Sequence, residues 1–176
     1  MKNTQWRCVH VRKRFERIVA LHLEKQTLET FVPSCRMRER SPGSKPGIEL
    51  PLIPGYVFLK CDSVQREALH AIPGVLTIVR SADANDIVPA HEIEDLQRVV
   101  NSGISCELWP HLPGRSVTVE DGPLQGITGV LADTMGKRRL VLPISLLGQS
   151  VAVEIDDSCR LDLAHPPRSE ALCVHD

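Results

Sequence analysis

The run Leu50-Pro51-Leu52-Ile53-Pro54-Gly55-Tyr56-Val57-Phe58-Leu59 decides how the rest of the chain is read. Pro54-Gly55 punctuates an apolar stretch, and two aromatics follow at alternate positions. Alternate side chains of a strand share one face of its sheet, so Tyr56 and Phe58 stand side by side. The chain holds only six aromatics, Trp6, Phe15, Phe31, Tyr56, Phe58 and Trp109. Two of them on one face mark either a core wall or a docking surface for a partner.

Upstream, Gln5 to Val11 alternates as a half-buried strand. Trp6, Cys8 and His10 lie on one side, and Arg7, Val9 and Val11 on the other. Arg12-Lys13-Arg14 breaks the run. Phe15, Ile18, Val19, His22 and Leu23 then recur at the spacing of an amphipathic helix of about four turns. Thr30-Phe31-Val32-Pro33 favours extension, and residues 34–40 are polar and strand-like. Ser41-Pro42-Gly43-Ser44-Lys45-Pro46-Gly47 is a loop on composition, the tip of a long hairpin whose return strand is the opening run. Residues 63–71 read as a short helix stopped by Pro73-Gly74. Val75 to Arg80 is a strand and Ala82 to Asp86 a turn. His91 to Val100 is a helix with Ile93, Leu96 and Val100 on one face. That order is β-α-β-β-α-β-α, an α+β fold with helices flanking an antiparallel sheet.

Residues 103–113 show no periodicity and read as a linker. Beyond Gly114, Val117–Val119, Gly126–Leu131, Arg139–Ile144 and Ser150–Ile155 read as short strands separated by Gly-containing turns. Several short strands in ~50 residues close into a small β-barrel, which removes open edges. The organisation expected is therefore an N-terminal domain at 1–102, a linker at 103–113, a barrel at 114–163 and a flexible tail at 164–176.

Composition narrows the function classes. The 176 residues carry 21 Lys+Arg and 22 Asp+Glu. Of these, eleven basic and five acidic residues fall in the first 50 positions, leaving ten and seventeen for the remainder. A basic N-terminal part on a near-neutral chain suits a local anionic partner such as a nucleic-acid backbone, or else a solvated basic face. No apolar run approaches the ~18 residues of a membrane span, and the N-terminus lacks the apolar segment of a secretion signal. The six cysteines form no C-x-x-C pair, which fits reduced thiols and a cytoplasmic protein.

Neither histidines nor cysteines form H-x-x-x-H, H-E-x-x-H or paired C-x-x-C patterns, so no metal site or catalytic residue is expected. Gly126-Ile127-Thr128-Gly129 matches no phosphate-binding loop, and no cofactor is implied. Arg12, Lys13, Arg14 and Arg17 cluster where a strand turns into a helix. Cations at a helix N-terminus oppose its dipole, and a local rule broken in this way points to phosphate contact. His22, near the apolar stripe, reads either as a core-edge histidine or as part of that contact.

Taken together, the two halves resemble the NusG family of transcription elongation factors. The N-terminal residues that carry the resemblance are Trp6 to Val11, the Phe15-to-Leu23 helix, Phe31-Val32-Pro33, Leu52 to Phe58 and Pro73-Gly74-Val75. Gly114 to Leu124, with Gly126 and Gly129-Val130, is similar to the family's KOW domain, an SH3-like barrel. The hairpin tip and residues 142–155 look closest to specialised paralogues, the UpxY-like and RfaH-like antiterminators. What the resemblance implies is a non-enzymatic, cytoplasmic, monomeric factor that binds RNA polymerase and suppresses pausing or termination. Ile53, Pro54, Tyr56, Phe58, Ile93, Leu96 and Val100 would receive the polymerase clamp helices. Arg12, Lys13, Arg14, Arg17 and His22 would meet the non-template DNA strand. Leu124, Gln125 and Ile127 would face a KOW partner, Rho or a ribosomal protein, although Leu124 stands where the general family member carries an aromatic. A general NusG acting with Rho or the ribosome, and a ribosome-associated KOW RNA-binding protein, are the alternatives. The latter class is usually far more basic than this chain.

Overall fold

The computed structural model describes residues 4–36, 49–110, 114–134 and 136–163. Its first part is a four-stranded antiparallel sheet in the order β2-β5-β1-β6, from β1 (Gln5–Val11), β2 (Glu29–Phe31), β5 (Tyr56–Cys61) and β6 (Val75–Ile78). A short hairpin of β3 (Ser34–Arg36) and β4 (Glu49–Pro51) pairs Cys35 with Leu50. The expected hairpin tip at 41–47 lies outside the described residues, as does the expected tail at 164–176.

Register fixes the two faces of this sheet. Cys8 pairs with Phe58 and His10 with Tyr56, so both aromatics of the opening run lie on the side of Trp6. Val9, Val11, Val57, Leu59 and Cys61 occupy the other side and pack with Val19, Ala20 and Leu23 of α1 (Glu16–Lys25).

The α1 stripe differs from the expectation. Glu16, Val19, Ala20 and Leu23 are buried, whereas Phe15 and Ile18 are exposed and the helix is 10 residues long. The cause is Glu16, whose carboxylate accepts the Gly55 N–H at 2.7 Å. A buried acid is tolerated when it is hydrogen-bonded, and this bond holds the Glu16 side of the helix against the sheet. Gly55 itself sits at φ +87°, and its carbonyl accepts the Val11 N–H at 2.8 Å. Pro54-Gly55 is thus clamped from two elements just before β5 begins.

The remaining elements of this part are α2 (Ser63–Ala68), one turn of 3₁₀ helix at Leu69–Ala71, and α3 (Ala90–Ser102). Asp62 caps α2 by accepting from the Gln65 N–H at 2.8 Å, and Gln65 reaches back to the Asp62 N–H, a capping box. Gly103, at φ +70°, ends α3. The turn after β6 buries Asp86 against Arg7 and Arg66.

The second part is an all-β sheet in the order β12-β8-β9-β10-β11-β7. Its strands are β7 (Cys106–Trp109), β8 (Ser116–Val119), β9 (Thr128–Thr134), β10 (Lys137–Ile144), β11 (Gln149–Glu154) and β12 (Leu161–Leu163), all paired antiparallel. Part of the stretch read as a linker therefore has regular structure. Residues 106–109 form β7, which pairs with β11 from Ser150↔Trp109 to Val153↔Cys106. Arg139 of β10 reaches across β11 to lie over the Trp109 ring at 4.4 Å and to pair with Glu107 at 3.1 Å. Four residues without periodicity gave no strand signal, because their partner is more than 40 positions downstream.

Candidate partner-binding face

The face of the first sheet that bears Tyr56 and Phe58 is continuous with α3. Trp6, Cys8, Leu52, Ile53 and Phe58 form one apolar cluster with Val88, Ile93, Leu96 and Val99. The same cluster continues into Val117, Leu124, Ile127, Leu140, Leu142 and Ile144 of the second sheet. Phe58 is 0% exposed, Ile53 and Ile93 are each 1% exposed, and Leu96 is 2% exposed. α3 packs on both β1 and β10, so the part of the expected docking surface that Ile93 and Leu96 contribute lies against the chain's own C-terminal module.

Polar contacts bracket this seam at both ends of α3. Near its start, Glu92 accepts the Ser145 backbone N–H at 3.1 Å and the Ser145 hydroxyl. Near its end, the Arg98 guanidinium donates to the Gln125 carbonyl. A third contact lies to the side, where the Cys35 thiol meets the Cys106 carbonyl at 3.5 Å. Charge-assisted hydrogen bonds at the edge of an apolar contact give register more than affinity.

Three of the expected partner-facing positions are less buried than the rest. Pro54 is exposed, on the wall of an interdomain cleft of about 660 Å³. Tyr56 is half-buried, its ring 5.1 Å from that of His10. Val100 is also half-buried, and Val99 takes its expected place. The buried stripe follows i, i+3, i+6 spacing, which winds around the helix and so meets two neighbours, β1 and β10, instead of one. A single apolar stripe in sequence cannot distinguish these phases.

Two of the three expected KOW contact residues point inward. Leu124 is 3% exposed and Ile127 0%, both in the core of the C-terminal module. Only Gln125 reaches the surface, and its carbonyl is taken by Arg98. The turn before β9 tucks its apolar residues inward because Gly126, at φ +82°, reverses the chain between them.

The basic turn is on the surface. Arg12, Lys13, Arg14 and Arg17 are exposed, and Arg14 adopts φ +70°, an uncommon conformation for a residue with a side chain. Arg17 donates to the Glu49 carbonyl at 3.2 Å and lies 3.7 Å from its carboxylate. Arg12, Lys13 and Arg14 have no carboxylate partner among the described residues. His22 is exposed, with Nδ1 2.9 Å from the Ile18 carbonyl, so the core-edge reading does not hold for it. Among the described residues, no group of three metal-ligating side chains occurs, and no helix is long and apolar enough to cross a membrane.

Residues 4–97 match the family model described as "NusG: Transcription termination factor nusG". The chain belongs to the NusG family. Its relatives are transcription factors and not enzymes. Among solved structures it is similar to NusG from Thermotoga maritima, titled for a domain interaction in that protein. The likeness has a TM-score of 0.55 at 18% identity, and covers 93% of this chain and 98% of the other. At that identity it establishes the shared fold, an α/β sheet module followed by an all-β module. No curated protein matches the chain.

Sequence reasoning passed over four residues that hold this NusG-family fold together. Glu16, Asp86, Glu92 and Arg98 each act through a partner at least 20 positions away. The one local hint was Asp86 as the last residue of a turn.

Proposed function

We propose that this protein is a transcription elongation and antitermination factor that docks on RNA polymerase through the Ile53, Tyr56, Phe58, Ile93 and Leu96 face. The observation that carries the reading is the continuity of that apolar face from β5 to α3, in a chain whose family acts on transcription. An apolar face built from a strand and a helix suits the tips of the polymerase clamp helices, a helix-in-groove mode. In the covered arrangement the C-terminal module competes for the same surface, so docking requires the seam at α3 to open. We read the all-β module as an SH3-like KOW domain, which after release would take a second partner, Rho or a ribosomal protein. The exposed Arg12, Lys13 and Arg14, beside the Phe15–Ile18–His22 surface, suit contact with the non-template DNA strand.

The test is a pull-down of core RNA polymerase by the full chain, with a matched variant. Leu146→Asp alters a half-buried residue of the C-terminal module alone, next to the Glu92–Ser145 contact. It is expected to raise polymerase binding at least tenfold, and Tyr56→Ala in the same background to remove most of the gain. Equal binding by wild type, Leu146→Asp and the double variant, all folded by circular dichroism, would overturn the docking reading.

A further inference from the structure

Cys35 and Cys106 face each other across the two modules. Cys35 lies on the β3–β4 hairpin of the N-terminal module, and Cys106 opens β7 at the edge of the C-terminal sheet. The Cys35 thiol donates to the Cys106 carbonyl at 3.5 Å, which sets the two cysteines side by side. Both line the cleft of about 660 Å³ between the modules, which gives a small reagent access. We propose that these two cysteines form a reversible disulfide that latches the C-terminal module over the apolar face.

The remaining described thiols do not compete. Cys8 and Cys61 are fully buried, and burial pushes both thiols up. Cys159 is half-buried, and its charged neighbours are Asp121, Arg138 and Asp156, with no thiol among them. Cys35 and Cys106 are therefore the one facing pair among the described cysteines. The chemistry requires an oxidant, and a low-molecular-weight disulfide of the glutathione type supplies it. Cys35, half-buried on the cleft wall, attacks the reagent as thiolate, forming a mixed disulfide and expelling one thiolate. Cys106 then loses its proton to that thiolate and attacks the Cys35 sulfur, expelling the second. Two protein thiols are oxidised, one reagent disulfide is reduced to two thiols, and atoms and electrons balance. Burial, and then the Cys35 thiol beside it, push the Cys106 thiol up to about 12. It therefore stays protonated until the mixed disulfide is presented to it.

The bond would restrain the whole C-terminal sheet because β7 is built into that sheet. β7 pairs with β11 over four residues and is tied to β10 through Arg139, so pinning Cys106 pins the module. The disulfide stands independently of the polymerase reading, although its consequence for docking rests on it.

The experiment treats the full chain with oxidised glutathione and maps non-reduced peptides by mass spectrometry. A linked Cys35–Cys106 peptide is expected, reversed by dithiothreitol and absent from Cys35→Ser and Cys106→Ala. Hydrogen exchange supplies a readout of closure, because the Ser145 amide is bonded to Glu92 across the seam. Oxidation is expected to slow its exchange at least tenfold in wild type and to leave Cys35→Ser unchanged. Glutathione retained on Cys35 without the internal link, a link from either cysteine to another thiol, or a Cys35–Cys106 link without slower Ser145 exchange would each overturn the latch. If the link and slower exchange are found but reduced Leu146→Asp fails to bind polymerase, the docking reading falls and the latch stands.

Discussion

At the scale of single residues, this fold relies on buried charges whose partners are distant in sequence. Arg7 is buried on the α1 side of β1, and its guanidinium meets the Asp86 carboxylate, which Arg66 also holds. Burial alone would push Asp86 up, but the hydrogen bond from Arg66 and the charges of Arg7 and Arg66 outweigh it and hold the carboxyl below its ordinary range. A depressed carboxylate contributes stability above its unfolded pKa of ~4 and loses that contribution as pH falls through the folded value. Urea denaturation of wild type is expected to show a falling midpoint below about pH 4, and Asp86→Asn a flatter acid limb. At neutral pH, Asp86→Ala leaves a buried guanidinium without its main partner and is expected to cost about 3–5 kcal/mol. Gly55→Ala is a smaller change. An added Cβ would meet its neighbours only at ordinary contact, 3.6 Å, so the cost comes from φ +87° and amounts to about 1–2 kcal/mol. A denaturation midpoint unchanged by Gly55→Ala would count against the clamped turn.

At the scale of elements, close backbone approach is the stronger constraint. Gly129 of β9 faces β10 so closely that a Cβ would lie 2.8 Å from the Val141 carbonyl and 3.0 Å from Leu140. A backbone oxygen cannot move aside as a side chain can, so Gly129→Ala is expected to destabilise the C-terminal sheet by about 1–3 kcal/mol, read as faster hydrogen exchange across β9 and β10. Periodicity revealed most elements of this chain. Alternation in Gln5–Val11 and Tyr56–Cys61 assigned each residue to the correct face, because a strand's period of two leaves only two choices. Helical stripes were legible as helices but not in phase. Glu16 displaced Ile18 from the α1 face and Val99 displaced Val100 on α3, since phase depends on which neighbour arrives. The expected docking residues lie on an apolar face, yet nothing in their own sequence signals that β10 packs on the α3 part of it. Strand β7 was invisible for the same reason, since the partners that support it, β11 and Arg139 among them, lie far downstream.

At the scale of the whole molecule, the decisive feature is one apolar cluster that runs through both modules. Residues from Trp6 to Ile155 share it, and the seam at α3 is fastened at its edges by Glu92–Ser145 and Arg98–Gln125. Modules that share a core unfold together, and modules that only touch unfold separately. Calorimetry of the reduced wild-type chain is therefore expected to show a single transition whose van't Hoff and calorimetric enthalpies agree. Arg98→Ala with Leu146→Asp removes one edge contact and places a charge in the apolar seam, while leaving both sheets their own strand pairing. That variant is expected to split into two transitions, with the calorimetric enthalpy exceeding the van't Hoff value for either step. The α1 face of the N-terminal sheet is a separate cluster of Val9, Val11, Val19, Leu23, Val57 and Leu59, so this module retains a core of its own after release. Its transition should remain cooperative in the split variant. A wild-type chain that already unfolds in two steps would mean that the shared cluster contributes too little to couple the modules. The closed arrangement would then impose only a small cost on any partner competing for the face of Phe58 and Leu96.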